Sequence, residues 1–339
     1  MMRKVVASAP GRIDLAGGFT DGVWPGIKGK VVNVAISLRS TVKISPTNLE
    51  EVEVKIEGSR SIFLSPHSSY GGWWDLFLAA VKRYNLRGLK IEASTDIPWG
   101  SGLGGSGATG VALVVGLTKF VPSLKVDLST NEGLNFIAKE ARALEIEEMA
   151  ASSGWQDQFA AAFGEINFFE TCQDLQTPYR ICINLSPENR KLLEASLTLI
   201  KTSTSEERNS SAIQKKILID EEKRSILENL STLAKEIYAT VSFSKINFYV
   251  LGILVRSGWE EIIRLTDGEC LSEEIGILEN FLDSFSHSNI FGWKACGAGG
   301  SGSCMLVIHK PNFQIDVESL GAGFKVLPFK IEDRGVIVS

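Results

Sequence analysis

Asp96-Ile97-Pro98-Trp99-Gly100-Ser101-Gly102-Leu103-Gly104-Gly105-Ser106-Gly107-Ala108 is the stretch whose reading decides the fold. Its glycines, at 100, 102, 104, 105 and 107, remove the side chains that would hold a ligand away from the backbone, so successive N–H groups can converge on an anion. Leu89 to Thr95 before it is strand-like. Val111 to Val121 after it contains no helix breaker except Gly116. The order strand, loop, helix puts the loop at the positive end of a helix dipole, where an anion gains a second time. A phosphate cradle is the expectation.

Gly100, Gly102 and Gly105 also satisfy the dinucleotide spacing G-x-G-x-x-G, with Asp127 near the place of a ribose-binding acid. Such a fingerprint opens its domain on the first strand, and it gives Pro98 and Ser106 no role. Here strand patterns at Lys4–Ser8, Lys30–Ser45 and Glu51–Glu57 come first.

With 339 residues and 44% hydrophobic content the chain can bury a sizeable core, and its net charge of −5 argues against a general nucleic-acid or anionic-membrane binder. The expected ligand is small. The cysteines (172, 182, 270, 296, 304) lack CxxC spacing and the histidines (67, 287, 309) are scattered, which does not resemble a zinc site. The N-terminus has no long apolar signal region and no run reaches the ~18 apolar residues of a membrane span, so a cytoplasmic location is expected.

From the N-terminus, Pro10-Gly11 is expected to turn the chain into a short apolar strand ending at Gly17-Gly18, with Thr20 and Asp21 just beyond. Asp21 is placed either to accept hydrogen bonds from hydroxyls or to cap a turn. Ser69–Tyr84 and Thr130–Met149 have helical periods. The glutamates 140, 145, 147 and 148 read mostly as a solvated face, and Trp73 and Trp74 as core or as a base-stacking pair. Asp157 follows a small-residue turn and precedes a compact apolar segment, where a carboxylate is costly unless it is paired or functional. Strands are expected at 166–170, 179–185 and 196–202, then helices over 210–242, 246–257 and 272–285. A second glycine run, Cys296 to Cys304, lies between strands at Gly292–Cys296 and Met305–His309. Two such loops suggest a site shared between two halves.

Three runs in order, Pro-Gly-Arg-Ile-Asp-Leu-Ala-Gly-Gly-Phe-Thr-Asp (10–21), Pro-Trp-Gly-Ser-Gly-Leu-Gly-Gly-Ser-Gly-Ala (98–108) and Gly-Ala-Gly-Gly-Ser-Gly (297–302), resemble the three motifs of the GHMP kinase superfamily. The resemblance implies an α+β fold, with an N-terminal ribosomal-protein-S5-like domain (1–175) and a C-terminal ferredoxin-like domain (176–339). Within the superfamily, residues 12–21, 154–164, 208–213 and 292–300 are most similar to kinases that phosphorylate an anomeric hydroxyl, the fucokinases and the D-glycero-D-manno-heptose 7-phosphate kinases.

By motif position the resemblance implies that Pro98, Gly100, Ser101, Gly102, Leu103, Gly104, Gly105, Ser106 and Gly107 hold the ATP phosphates, and that Ser106 and Glu145 are Mg²⁺ ligands. Asp157 would activate or orient the sugar hydroxyl and Arg12 would stabilise the transferred charge. Gly18, Thr20, Asp21, Arg208, Gly299 and Gly300 would bind sugar. Lys28, Lys30 and Arg208 are the candidates for a substrate phosphate. Gly105, Gly107 and Ser301 depart from the family pattern. The implied partners are ATP and a sugar or sugar phosphate, for a monomer or homodimer with no nucleic-acid or membrane partner. A galactokinase-like kinase, a non-catalytic sugar- and ATP-binding regulator and an ATP-dependent decarboxylase are the alternatives.

Overall fold

The computed structural model describes residues 4–22, 24, 26–151, 153–171, 177–202, 210–285, 288–321 and 323–339. The N-terminal part runs β1 (Val5–Ala16), β2 (Gly29–Pro46), β3 (Val52–Ile56), β4 (Ile62–Leu64), α1 (Asp75–Tyr84), β5 (Leu89–Thr95), α2 (Gly105–Leu117), α3 (Asn131–Ala143), a π-helical turn (Leu144–Glu148), α4 (Gln156–Phe163), β6 (Ile166–Thr171) and β7 (Tyr179–Cys182). Then come α5 (Pro187–Glu194), β8 (Leu197–Lys201), α6 (Ser210–Lys216), α7 (Glu221–Ser242), α8 (Phe248–Leu265), α9 (Glu273–Asp283), β9 (Ile290–Ala295), β10 (Cys304–His309), β11 (Lys325–Leu327) and β12 (Ile337–Val338).

An eight-stranded sheet has the order β12-β1-β2-β5-β3-β4, and β6 and β7 extend it from β2. The long β2 pairs with β5 through Ser40–Pro46 and with β6 through Gly29–Val34, so one strand carries both arms of the sheet. Strands β7 and β12 come from beyond residue 175, so this sheet draws on both sides of the 1–175/176–339 division. Pro10-Gly11 does not break β1. The strand runs through it with a register shift against β2, because a bulge absorbs a proline that cannot donate to the ladder.

Helix α2 is apolar nearly all round and buried, since it packs on β1 and β2 while α3 and α4 cover it. A four-stranded antiparallel sheet has the order β11-β8-β10-β9. Numbered within itself, that order is 4-1-3-2, the ferredoxin-like arrangement. Its own core is built on Trp259, Leu265, Leu278, Met305 and Val307.

Helix α7 is separated from α6 because Asp220 caps it, its side chain accepting from Lys223 N at 2.8 Å. No helix among the described residues is long and apolar enough to cross a membrane.

Candidate active site

Helix α2 begins at Gly104, in the left-handed region at φ 75°, and no side chain caps it. A side chain there would be strained, and its absence leaves the first N–H groups of the helix open toward the loop. Gly107 follows on the next turn. A Cβ at 107 would lie 2.5 Å from the Cβ of Asp157, so this departure from the family pattern is the condition for Asp157 to approach the loop.

Arg12 on β1 and Asp157 in the first turn of α4 form an ion pair, Nη2 to Oδ1 2.6 Å. Arg12 also donates through Nη1 to the Gly102 carbonyl, and its backbone N–H donates to Leu103 O at 2.9 Å. Burial alone would lower the Arg12 pKa, but the nearby charges of Asp157 and Asp14 outweigh it and raise the value. Helix α4 starts where it does because Asp21 reaches across from the loop after β1. Its Oδ2 accepts from Trp155 N at 2.7 Å and Gln156 N at 2.9 Å, so this carboxylate oxygen caps a helix far along the chain. Burial raises the Asp21 carboxyl above its ordinary range, against the pull of those two N–H groups.

The Ser106 hydroxyl faces the Glu145 carboxyl closely enough to draw its pKa down. Glu145 lies in the π-helical turn and is 7% exposed, so it is not on a solvated face; the widened turn directs it inward. Burial pushes its carboxyl up and the charge of Asp157 adds to this, while hydrogen bonds from Ser153, Ser106 and Gln158 pull it back. Glu140 is also withdrawn from solvent, by Arg83 and by the Tyr84 hydroxyl at 2.8 Å. A hydroxyl beside a buried carboxylate at a helix N-terminus is the oxygen donor set that Mg²⁺ prefers.

The loop 100–104 is held between β1 and the second glycine run. Cys304 N donates to Ser101 O at 2.8 Å, and a Cβ at Gly102 would collide with the Cys296 carbonyl. Lys294 on β9 is buried against Asp14 on β1, with Nζ on Oδ2 and also on the Asp14 carbonyl at 3.1 Å, and Gly297 N reaches Asp14 Oδ1 at 3.3 Å. The sequence reading named neither Asp14 nor Lys294 as a site residue.

Several other expected residues are engaged with the protein itself. The Thr20 hydroxyl accepts from Lys30 N at 3.1 Å and lies 2.8 Å from Gly17 O. A Cβ at Gly18 would meet Asp14 Oδ2 at 2.8 Å. Gly299 packs on Trp259 and Cys270, and Gly300 N donates to Cys270 O at 2.5 Å. Pro98 O accepts from Ser101 N at 3.3 Å, and Gly105 O accepts from the Thr109 hydroxyl at 2.8 Å. Lys30 pairs loosely with Glu170 at 3.9 Å and Lys28 is exposed. Trp74 packs on the core, and Trp73 meets it edge to face at 5.7 Å. Asp127 is exposed and accepts from Ser129. Arg208 lies outside the described residues.

An uncapped helix N-terminus, a buried arginine, an acid on a second helix and a hydroxyl–carboxylate pair therefore converge. Residues 74–165 match the family described as GHMP kinases N terminal domain. The chain is 29% identical over 326 residues to the D-glycero-alpha-D-manno-heptose 7-phosphate kinase of Campylobacter jejuni, covering 89% of this chain and 88% of the relative. It superimposes on a D-glycero-D-manno-heptose 1-phosphate kinase from Bacteriodes thetaiotaomicron with a TM-score of 0.70 at 21% identity, over 99% of this chain and 98% of that one. On Lactococcus lactis galactokinase complexed with galactose the TM-score is 0.69 at 17% identity, over 99% and 95%. Residues 74–165 thus match the N-terminal domain of the GHMP kinases, and the chain as a whole has the fold of these solved sugar kinases.

Proposed function

We propose that the protein is an ATP-dependent sugar kinase that phosphorylates an anomeric hydroxyl, with D-glycero-D-manno-heptose 7-phosphate as the first candidate acceptor. The observation that carries this reading is the Arg12–Asp157 pair beside the uncapped N-terminus of α2. Phosphoryl transfer needs positioning and charge neutralisation more than covalent chemistry. The open N–H groups of the loop and α2 bind the ATP phosphates. Asp157 accepts the proton of the sugar hydroxyl as its oxygen attacks the terminal phosphorus, and Arg12 lies against both Asp157 and the loop to offset the charge that moves between them.

Ser106 and Glu145 would hold Mg²⁺, which supplies charge neutralisation at the phosphates when bound. Asp21 acts through α4, holding the helix on which Asp157 stands. The heptose preference rests on similarity over most of both chains to the Campylobacter enzyme.

The test is ADP release by purified protein with ATP, Mg²⁺ and a panel containing D-glycero-D-manno-heptose 7-phosphate, L-fucose and D-galactose. The heptose phosphate should give the highest kcat/KM. Preference for an unphosphorylated sugar would move the assignment to the fucokinase or galactokinase side, and a folded, ATP-binding protein with no sugar-dependent release would refute the kinase reading.

A further inference from the structure

One half-buried cation beside this site has no part in the chemistry above. Arg142 stands in the last turn of α3, and its fork closes on the turn that precedes α4: Nε donates to Gly154 O at 2.9 Å and Nη2 to Ser153 O at 3.1 Å. The guanidinium also lies over the Trp155 ring, 4.2 Å from its centroid. Trp155 and Gln156 supply the two N–H groups that Asp21 accepts. The turn is thus gripped from both sides, through its carbonyls by Arg142 and through its N–H groups by Asp21. A Cβ at Gly154 would collide with the Asp21 carboxylate, so the grip leaves no room for a side chain there.

The charged groups facing Arg142 are Asp21 from the loop after β1, and Glu145 and Glu147 from the π-helical turn. Arg83 on α1 pairs with Glu147, and Asp157 on α4 acts on both Asp21 and Glu145. Burial lowers the Arg142 pKa, and the three carboxylates facing it oppose that fall.

Resting on the kinase reading, we infer that Arg142 is a positioning residue for phosphoryl transfer: it sets the turn 153–155 so that α4 delivers Asp157 to Arg12. A planar fork suits two adjacent carbonyls and a ring face at once, which a lysine ammonium cannot match.

The test compares Arg142→Gln and Arg142→Lys with the unmodified full chain. In Arg142→Gln, kcat for sugar-dependent ADP release should fall about tenfold or more with KM for ATP within about twofold, since the phosphate loop is untouched. Arg142→Lys keeps the charge and loses the fork, so kcat should recover only in part.

Hydrogen exchange gives a second readout that needs no turnover. The amides of Trp155 and Gln156 should exchange about tenfold faster in both variants, with the rest of α3 unchanged. Arg142→Gln with unmoved kcat, or either variant with unmoved exchange at those two amides, would overturn the inference. A wild-type protein that turns over no sugar would refute the kinase reading and the transfer role that depends on it, with the exchange rates still deciding whether the clamp exists. A global rise in exchange in both variants would mean that Arg142 supports the fold at large and would also overturn it.

Discussion

Strand β1 carries two charged side chains two residues apart on one face, Arg12 and Asp14, and each meets an opposite charge from a distant part of the chain. The Asp14–Lys294 pair is sealed, its side chains 0% and 2% exposed, and it joins β1 to β9. In the Arg12–Asp157 pair the arginine is 5% exposed and the acid 23%. A charge pair without access to a ligand can only hold structure, whereas one with an open acid beside an anion cradle can take part in a reaction. The same strand thus supplies a fastening between the two sheets at one residue and, in the proposed reaction, a charge beside the reacting groups at the other.

Asp157→Asn gives the largest expected effect on this contrast. An amide keeps the shape of the side chain but cannot accept a proton, so turnover should fall by ~10²–10⁴ while ATP affinity and melting temperature stay close to those of the unmodified protein. Retained turnover would put Asp157 in the same structural class as Asp14.

Lys294→Met should act on stability instead. It leaves the Asp14 carboxylate buried without its partner, at a cost of about 3–5 kcal/mol, and replacing both as Asp14→Leu/Lys294→Met should recover much of the loss. Denaturant unfolding of the single and double variants checks this. A stable single variant would show that Asp14 finds another partner and that the fastening is not at this pair.

Gly107→Ala sharpens the contrast from the loop side. The added Cβ would sit 2.5 Å from the Asp157 Cβ, so α4 must shift and about 1–3 kcal/mol of overpacking is expected, with a fall in kcat larger than any change in KM for ATP. An unaffected kcat would mean that the separation of loop and acid is not critical.

The smallest effect is on pH dependence. Asp21 and Glu145 both have carboxyl pKa values raised chiefly by burial. Between the unfolded and folded values the native state holds more protons than the unfolded one, so stability from these groups falls as pH rises through the window and is highest below it. Stability that rises with pH across that window would contradict the burial of these acids.

The part of the site that is local in sequence was legible there. The β5–loop–α2 unit, the extended β2 and the candidate residues Asp157, Arg12, Ser106 and Glu145 could be picked out from glycine spacing, periodicity and the family resemblance, and the structure brings Arg12 to Asp157 and Ser106 to Glu145. The fastening was not legible, because Asp14 and Lys294 carry no local sign that a strand near one end meets a strand near the other. The π-helical turn was also missed. One additional residue per turn changes which glutamate points inward, and a 3.6-residue period cannot register it. Short elements such as β4, α5, β11 and β12 are set by what they pack against, so their own few residues give weak signals.

In the proposed reaction, Asp157 and the open end of α2 move a phosphoryl group from ATP to an anomeric oxygen. Phosphorus–proton correlation NMR of the product made with the best acceptor of the panel tests it most directly. The account predicts a new phosphorus signal coupled to the anomeric proton, formed with one ADP per sugar. Phosphate on any other hydroxyl, or no sugar phosphate from folded protein saturated with ATP and Mg²⁺, would contradict it.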